Sequence, residues 1–110
     1  MKRAAAYVLF LAGFSSTAIA GQVYGTIYQN NHPYTNAQVT LSCPGGQTVG
    51  ATDNAGVYRL FGKGTGVCTL AVNLQGSQAP GSLYSYDRPT GYDFDLVQQD
   101  GKWRLNPRRR

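Results

Sequence analysis

An all-β fold is what this chain of 110 residues predicts: a small seven- to eight-stranded Greek-key β-sandwich with one disulfide. Three observations predict it. Short runs alternate apolar and polar residues with a period of two, and turn residues part them at the spacing of a sandwich or barrel. The only two cysteines, Cys43 and Cys68, both fall in phase with the apolar face of such runs. Glutamate is absent, and no apolar stripe of helical period follows residue 20.

The first twenty residues stand apart. Lys2 and Arg3 precede the apolar run Ala4 to Phe14, and the small residues Ala18-Ile19-Ala20 close it. A charged start, an apolar middle and an A-x-A end predict a signal peptide over residues 1–20, cleaved before Gly21. The run is too short to span a ~30 Å hydrocarbon core, which takes ~20 apolar residues, so no transmembrane segment is expected once the leader is cut. No cysteine follows the cut, which argues against a bacterial lipid anchor. The expected domain covers residues 21–106, followed by a basic tail over 107–110. The expected location is secreted or periplasmic. In an oxidising compartment Cys43 and Cys68 pair by default, and closing a loop of roughly 25 residues contributes ~3.5 kcal/mol. A zinc site would need more ligands than one histidine and two distant cysteines.

In chain order, Gln22 to Gln29 places Val23, Gly25 and Ile27 on one face and Tyr24, Thr26 and Tyr28 on the other. Asn30-Asn31-His32-Pro33 breaks it. The clearest alternation runs from Ala37 to Cys43, with Val39, Leu41 and Cys43 opposite Gln38, Thr40 and Ser42. Val49 and Ala51 mark a weaker third run. Asp53 to Gly56 turns the chain, with Gly56 able to take positive φ. A fourth run, Val57 to Phe61, buries either Tyr58 and Leu60 or Val57 and Phe61; the pattern supports both. The fifth, Val67 to Leu74, aligns Cys68, Leu70, Val72 and Leu74. Gln75 to Gly81 reads as a Gly/Ser/Pro loop, and Leu83 to Tyr86 as a sixth strand. Tyr92, Phe94 and Leu96 alternate with Asp93, Asp95 and Val97 in a seventh. Asp100-Gly101 is a hairpin signal, after which Trp103 and Leu105 form a short last strand.

Four pieces in order, G-x-V-Y-G-T-I-Y, P-Y-T-N-A-Q-V-T-L, T-D-N-A-G-V-Y-R-L and G-V-C-T-L-A-V, resemble the carboxypeptidase regulatory-domain-like family. The likeness runs from about Gly21 to Leu74. Its most specific part is Thr52-Asp53-x-x-Gly56-x-Tyr58 placed after the N-A-x-V-x-L strand. The resemblance implies a transthyretin-like β-sandwich acting as an accessory, adhesive or structural module without catalysis of its own. The expectation here is a module standing alone, with no enzyme or receptor attached. Hydroxyisourate hydrolases share that sandwich but rely on several histidines and a terminal Tyr-Arg-Gly-Ser; this chain has His32 alone and ends Asn106-Pro107-Arg108-Arg109-Arg110.

No residue pattern predicts catalysis, a metal or a cofactor. His32, beside Pro33, reads as a turn residue with no nucleophile placed by motif. Asp87, Asp93 and Asp95 supply too few oxygens for calcium, and Asp93 and Asp95 are the outward residues a soluble strand requires. Two features suggest surfaces. Tyr24 with Tyr28, and Tyr84 with Tyr86, lie two or four steps apart on strands, spacing that suits either sugar stacking or a protein interface, and also plain cross-strand pairing. Arg108, Arg109 and Arg110 could meet an anionic surface, or form a solvated end. Removing Lys2 and Arg3 lowers the formal net charge from +5 to +3, and the body before Lys102 is mildly acidic, which argues against nucleic acid. The expected function is a non-catalytic structural or protein-binding accessory in the cell envelope or a secreted assembly, using an edge strand or the tyrosine face. The alternative is a glycan-binding module using the tyrosines.

Overall fold

The computed structural model describes residues 21–108. The expected signal peptide over residues 1–20, and Arg109 and Arg110 of the expected tail, lie outside the described residues. Among those described there are ten strands: β1 (Gln22–Gln29), β2 (His32–Pro33), β3 (Gln38–Cys43), β4 (Gly46–Ala51), β5 (Val57–Phe61), β6 (Gly66–Leu74), β7 (Ser77–Ser85), β8 (Thr90–Gly91), β9 (Asp93–Gln99) and β10 (Lys102–Arg108). Strands β2 and β8 are only two residues long, so eight full strands carry the sandwich, as the sequence predicts.

The first sheet runs β10-β9-β1, with β5 and β2 along the other side of β1 and β8 in line with β9. The second, four-stranded, runs β4-β3-β6-β7. The chain changes sheet after β2, β4, β5 and β7, while hairpins join β3 to β4, β6 to β7 and β9 to β10. This is Greek-key connectivity, and it sets β1 parallel to β9. Asn30 and Asn31 (φ 53° and 66°) and Asp100 and Gly101 (φ 52° and 77°) take the two left-handed positions of type I′ turns, whose twist matches the flanking strands.

The core is the sum of the inward faces. Val23 and Ile27 on β1, Val39 and Leu41 on β3, Leu70 and Val72 on β6, and Phe94, Leu96 and Leu105 are buried. Strand β5 resolves the choice left by its sequence: Tyr58 and Leu60 point inward, and Phe61 outward. Strand β4 forms where the weak third run lies, but Val49 faces solvent, 58 % exposed.

Two expectations are corrected. Residues 77–81 belong to β7 rather than to a loop; a two-residue turn, Gln75-Gly76, folds them back so that Ser77 to Ser85 pair with β6 along its whole length. Low strand propensity is overridden there by the backbone partners that β6 offers. Pro80 is tolerated because β7 is an edge strand. Residues 107 and 108, expected in the basic tail, likewise belong to a strand. Strand β10 continues through Pro107 to Arg108, which pairs with Asp93, so Arg108 is part of the sheet rather than a solvated end.

Cys43 and Cys68 form the disulfide, with a Cα–Cα distance of 4.3 Å. They lie one step beyond the last β3–β6 pair, Ser42 with Thr69, so the bridge joins neighbours within one sheet. Cys68 is buried and Cys43 half-buried.

The Thr52-to-Tyr58 motif is structural at every position. Thr52 donates its N–H to the Ala37 carbonyl (2.8 Å) and accepts the Ala37 N–H on Oγ1 (2.9 Å). The Asp53 carboxylate accepts the N–H groups of Ala55 (2.8 Å) and Val57 (3.0 Å), the Asx-type turn that starts β5. Gly56, at φ 77°, packs where a Cβ would lie 2.9 Å from Pro33 Cβ, and its carbonyl accepts the Ile27 N–H at 3.0 Å. Tyr58, fully buried, donates its hydroxyl to the Tyr92 carbonyl at 2.7 Å.

Candidate interaction surface

The two outer faces of the sandwich differ in charge, because the sequence of each strand decides what its outward positions offer. In the first sheet, Arg59 on β5, Asp93 and Asp95 on β9, and Lys102, Arg104 and Arg108 on β10 supply charged groups. The second sheet has none: β3 (QVTLSC), β4 (GQTVGA), β6 (GVCTLAVNL) and β7 (SQAPGSLYS) contain no charged residue. Its outward positions are Gln, Thr, Ser, Ala, Asn, Pro, Val49, Val67 and Tyr84, with Val67 paired to Tyr84 across β6 and β7. Val49, Val67 and Tyr84 are exposed.

The four sequence-predicted tyrosines do not form one row. Tyr24 and Tyr28 lie half-buried on the first sheet, while Tyr84 projects from the second. The Arg108 guanidinium sits 4.1 Å from the centre of the Tyr28 ring. It also donates to Asp95 Oδ1 (2.9 Å) and to Asn31 Oδ1 (3.2 Å). Arg108 therefore gathers a turn, two strands and an aromatic ring into one polar cluster, drawn from residues far apart in sequence. The Tyr84 and Tyr86 rings meet at a tilt of 40° with centres 4.6 Å apart, and Arg88 covers the Tyr86 ring at 4.7 Å. Ring faces at Tyr28 and Tyr86 are thus engaged by guanidinium groups of the same chain.

Sequence reasoning missed Tyr92 and Trp103 as surface organisers. The Tyr92 hydroxyl donates to the Tyr84 carbonyl (2.8 Å) and accepts the Tyr84 N–H (3.3 Å), holding the end of β7 against the approach to β9. Trp103, half-buried, walls an open groove of about 530 Å³ between β7 and β10, together with Gln78, Pro80 and Lys102. A second groove, about 520 Å³, lies beside Asn30, Asn31 and Asp95.

The residues weighed for chemistry stay apart. His32 is exposed on β2, its backbone paired with Gln29. Asp93 accepts the Thr26 N–H on Oδ1 (2.9 Å), Asp95 pairs with Arg108, and Asp87 is exposed in the loop after β7. No three His, Cys, Asp or Glu side chains converge among the described residues. The N–H groups of Val57 and Ala55 hold the Asp53 carboxyl below its ordinary value near 3.8. No helix among the described residues is long and apolar enough to cross a membrane. The closed disulfide is compatible with an oxidising compartment.

No protein-family model matches the chain, and no curated protein matches it.

Proposed function

We infer that this chain is an exported, non-catalytic β-sandwich module that acts as a structural or protein-binding accessory in the cell envelope or a secreted assembly. The observation that carries this reading is the charge-free second sheet. A monomeric soluble domain ordinarily spreads charge over its outer faces, and depletion of charge is the compositional mark of a protein interface. A four-stranded face with no charged group suits burial against a protein. It offers no anchor for an anionic substrate.

The likeness to the carboxypeptidase regulatory-domain-like family adds support of a second kind. The motif residues that carry it, Thr52, Asp53, Gly56 and Tyr58, are all spent on turn, cap and core contacts. A motif used in that way marks a scaffold rather than a reaction. Export rests on the leader pattern over residues 1–20 and on the closed Cys43–Cys68 bridge. Glycan binding by the tyrosines has less support, since Tyr28 lies beneath Arg108 and Tyr86 beneath Arg88.

Crosslinking in cells at native abundance, with mass spectrometry of the captured species, tests the reading. One dominant envelope or secreted partner is expected, crosslinked through Lys63, Lys102 or the Gly21 amine. Recovery of this chain with no other protein, together with retention on a glycan array, would overturn it. The same spectra report the first residue of the protein, expected to be Gly21.

A further inference from the structure

A sandwich of two open sheets has four edges, and each edge strand is a template for another strand unless something blunts it. Three of the four are blunted here. Strand β5 has Arg59 at its middle, and its last carbonyl, on Phe61, accepts the Thr48 hydroxyl at 2.8 Å. Strand β10 carries Lys102, Arg104, Pro107 and Arg108. Strand β7 carries Pro80, which has no N–H to donate, and abuts β10 so closely that a Cβ on Gly81 would lie 2.7 Å from Leu105 Cβ. Strand β4, G-Q-T-V-G-A, has no charge and no proline, and pairs only with β3.

The ladder states which β4 groups are available. Thr52, the next residue after β4, donates its N–H to the Ala37 carbonyl in the same register as the β3–β4 pairs. Alternation then turns Gly46, Thr48 and Gly50 toward β3, and directs the N–H and C=O groups of Gln47, Val49 and Ala51 away from the sheet. All three residues are exposed.

We propose that β4 is the edge through which two copies of this chain pair, antiparallel, about a two-fold axis beside Val49. A two-fold contact sets each strand against itself, so every charge on it meets a like charge nearby. Arg59 on β5, and the lysine and arginines of β10, oppose that arrangement; β4 has nothing to repel. Centring on Val49 opposes Val49 to Val49 and Gln47 to Ala51 on the outer face, and Thr48 to Gly50 on the inner one. The two valines form a β-branched cross-strand pair, while the inner face at Gly50 is already covered by Leu60 and the Thr48 hydroxyl is held by the Phe61 carbonyl, so the contact rests on the backbone ladder and the outer face. Pairing also joins two charge-free four-stranded sheets into one continuous surface.

The contact is short. Three outward residues per copy give at most about six hydrogen bonds, and the buried area falls below the ~800 Å² per partner of a stable complex. A dissociation constant on the order of 10–1000 µM is expected.

Sedimentation velocity of the exported, disulfide-closed protein, from roughly 10 µM to 1 mM, tests this across the range expected. The wild type should pass from monomer to dimer with rising concentration. Val49→Lys should stay monomeric throughout with an unchanged circular dichroism spectrum, while Val49→Thr and Ser82→Lys (same sheet, far edge) should dimerise as the wild type does. Amide exchange gives a readout free of any variant: protection at Gln47, Val49 and Ala51 should rise with concentration. A monomer at every concentration would overturn the proposal, as would a dimer that Val49→Lys leaves intact. Either result leaves the recruitment of a different protein to its own crosslinking test.

Discussion

The hydroxyl of Tyr58 donates a 2.7 Å hydrogen bond to the carbonyl of Tyr92, across the central strand of the first sheet. Tyr58 pairs with Gly25 on β1, and Gly25 is where the Tyr92 carbonyl closes in: a Cβ there would lie 1.7 Å from that oxygen. The parallel ladder between β1 and the 90–99 segment breaks at Tyr92, and this bond holds the break.

Tyr58→Phe should therefore lower unfolding free energy by about 1–2 kcal/mol, since a partly buried acceptor loses its donor while the ring stays packed. Gly25→Ala should cost more, roughly 3 kcal/mol, because backbone must move to admit the methyl. Urea unfolding with matched slopes checks both. A Gly25→Ala protein as stable as the wild type would show that the segment around Tyr92 yields easily.

The Asp53 turn predicts an acid dependence with a definite sign. Its carboxyl is held below 3.8 in the folded chain by the Val57 and Ala55 N–H groups, so the ionised form favours folding. That contribution is complete above the unfolded value and is lost as pH falls below about 3.8 through the folded value. Melting temperatures of the wild type and Asp53→Asn should differ by a constant amount from pH 7 to about 5 and converge in acid. A gap unchanged at pH 2 would place its origin elsewhere.

Reduction of the Cys43–Cys68 bridge, which spans a sequence separation of 25, should lower stability by about 3 kcal/mol. The β3–β6 ladder next to it remains, so strand content should persist at 25 °C. Urea titration with and without a thiol reductant reads the difference.

The Arg108 cluster is worth less than its contacts suggest. Arg108 and Asp95 side chains are 34 % and 37 % exposed, and water screens such pairs to about 0.2–1 kcal/mol. A double-mutant cycle of Arg108→Ala and Asp95→Asn should give a coupling in that range, shrinking in 1 M salt. The Tyr28 contact adds a further ~0.5–1 kcal/mol to the loss at Arg108→Ala.

Period-two alternation made β1, β3, β6 and β9 legible, because each buries one face only and its neighbours in sequence show it. The bridge followed, since Cys43 and Cys68 share that phase. Strand β7 was hidden: Ser-Gln-Ala-Pro-Gly reads as a loop until β6 provides its partners. The Tyr28–Arg108 contact had no local signal, as it depends on β1 lying parallel to β9 and beside β10's partner. Tyrosine spacing revealed two pairs but not that they lie on opposite faces. The absence of charge from the second sheet was present in the letters all along, and became visible only once the strands were grouped.

The parallel neighbours β1 and β9 also govern time. The Thr26 amide bonds Asp93, a partner 67 residues further along the chain. A chain that emerges from its N-terminus first thus delivers a central strand long before one of its flanks exists. The second sheet, drawn from Gln38 to Ser85, can assemble in the interval, but the first must wait for the final segments. Beside β5 the central strand has a partner from the middle of the chain, but its parallel flank closes a loop over most of the domain, which makes completion of the first sheet the long-range, slow step of folding.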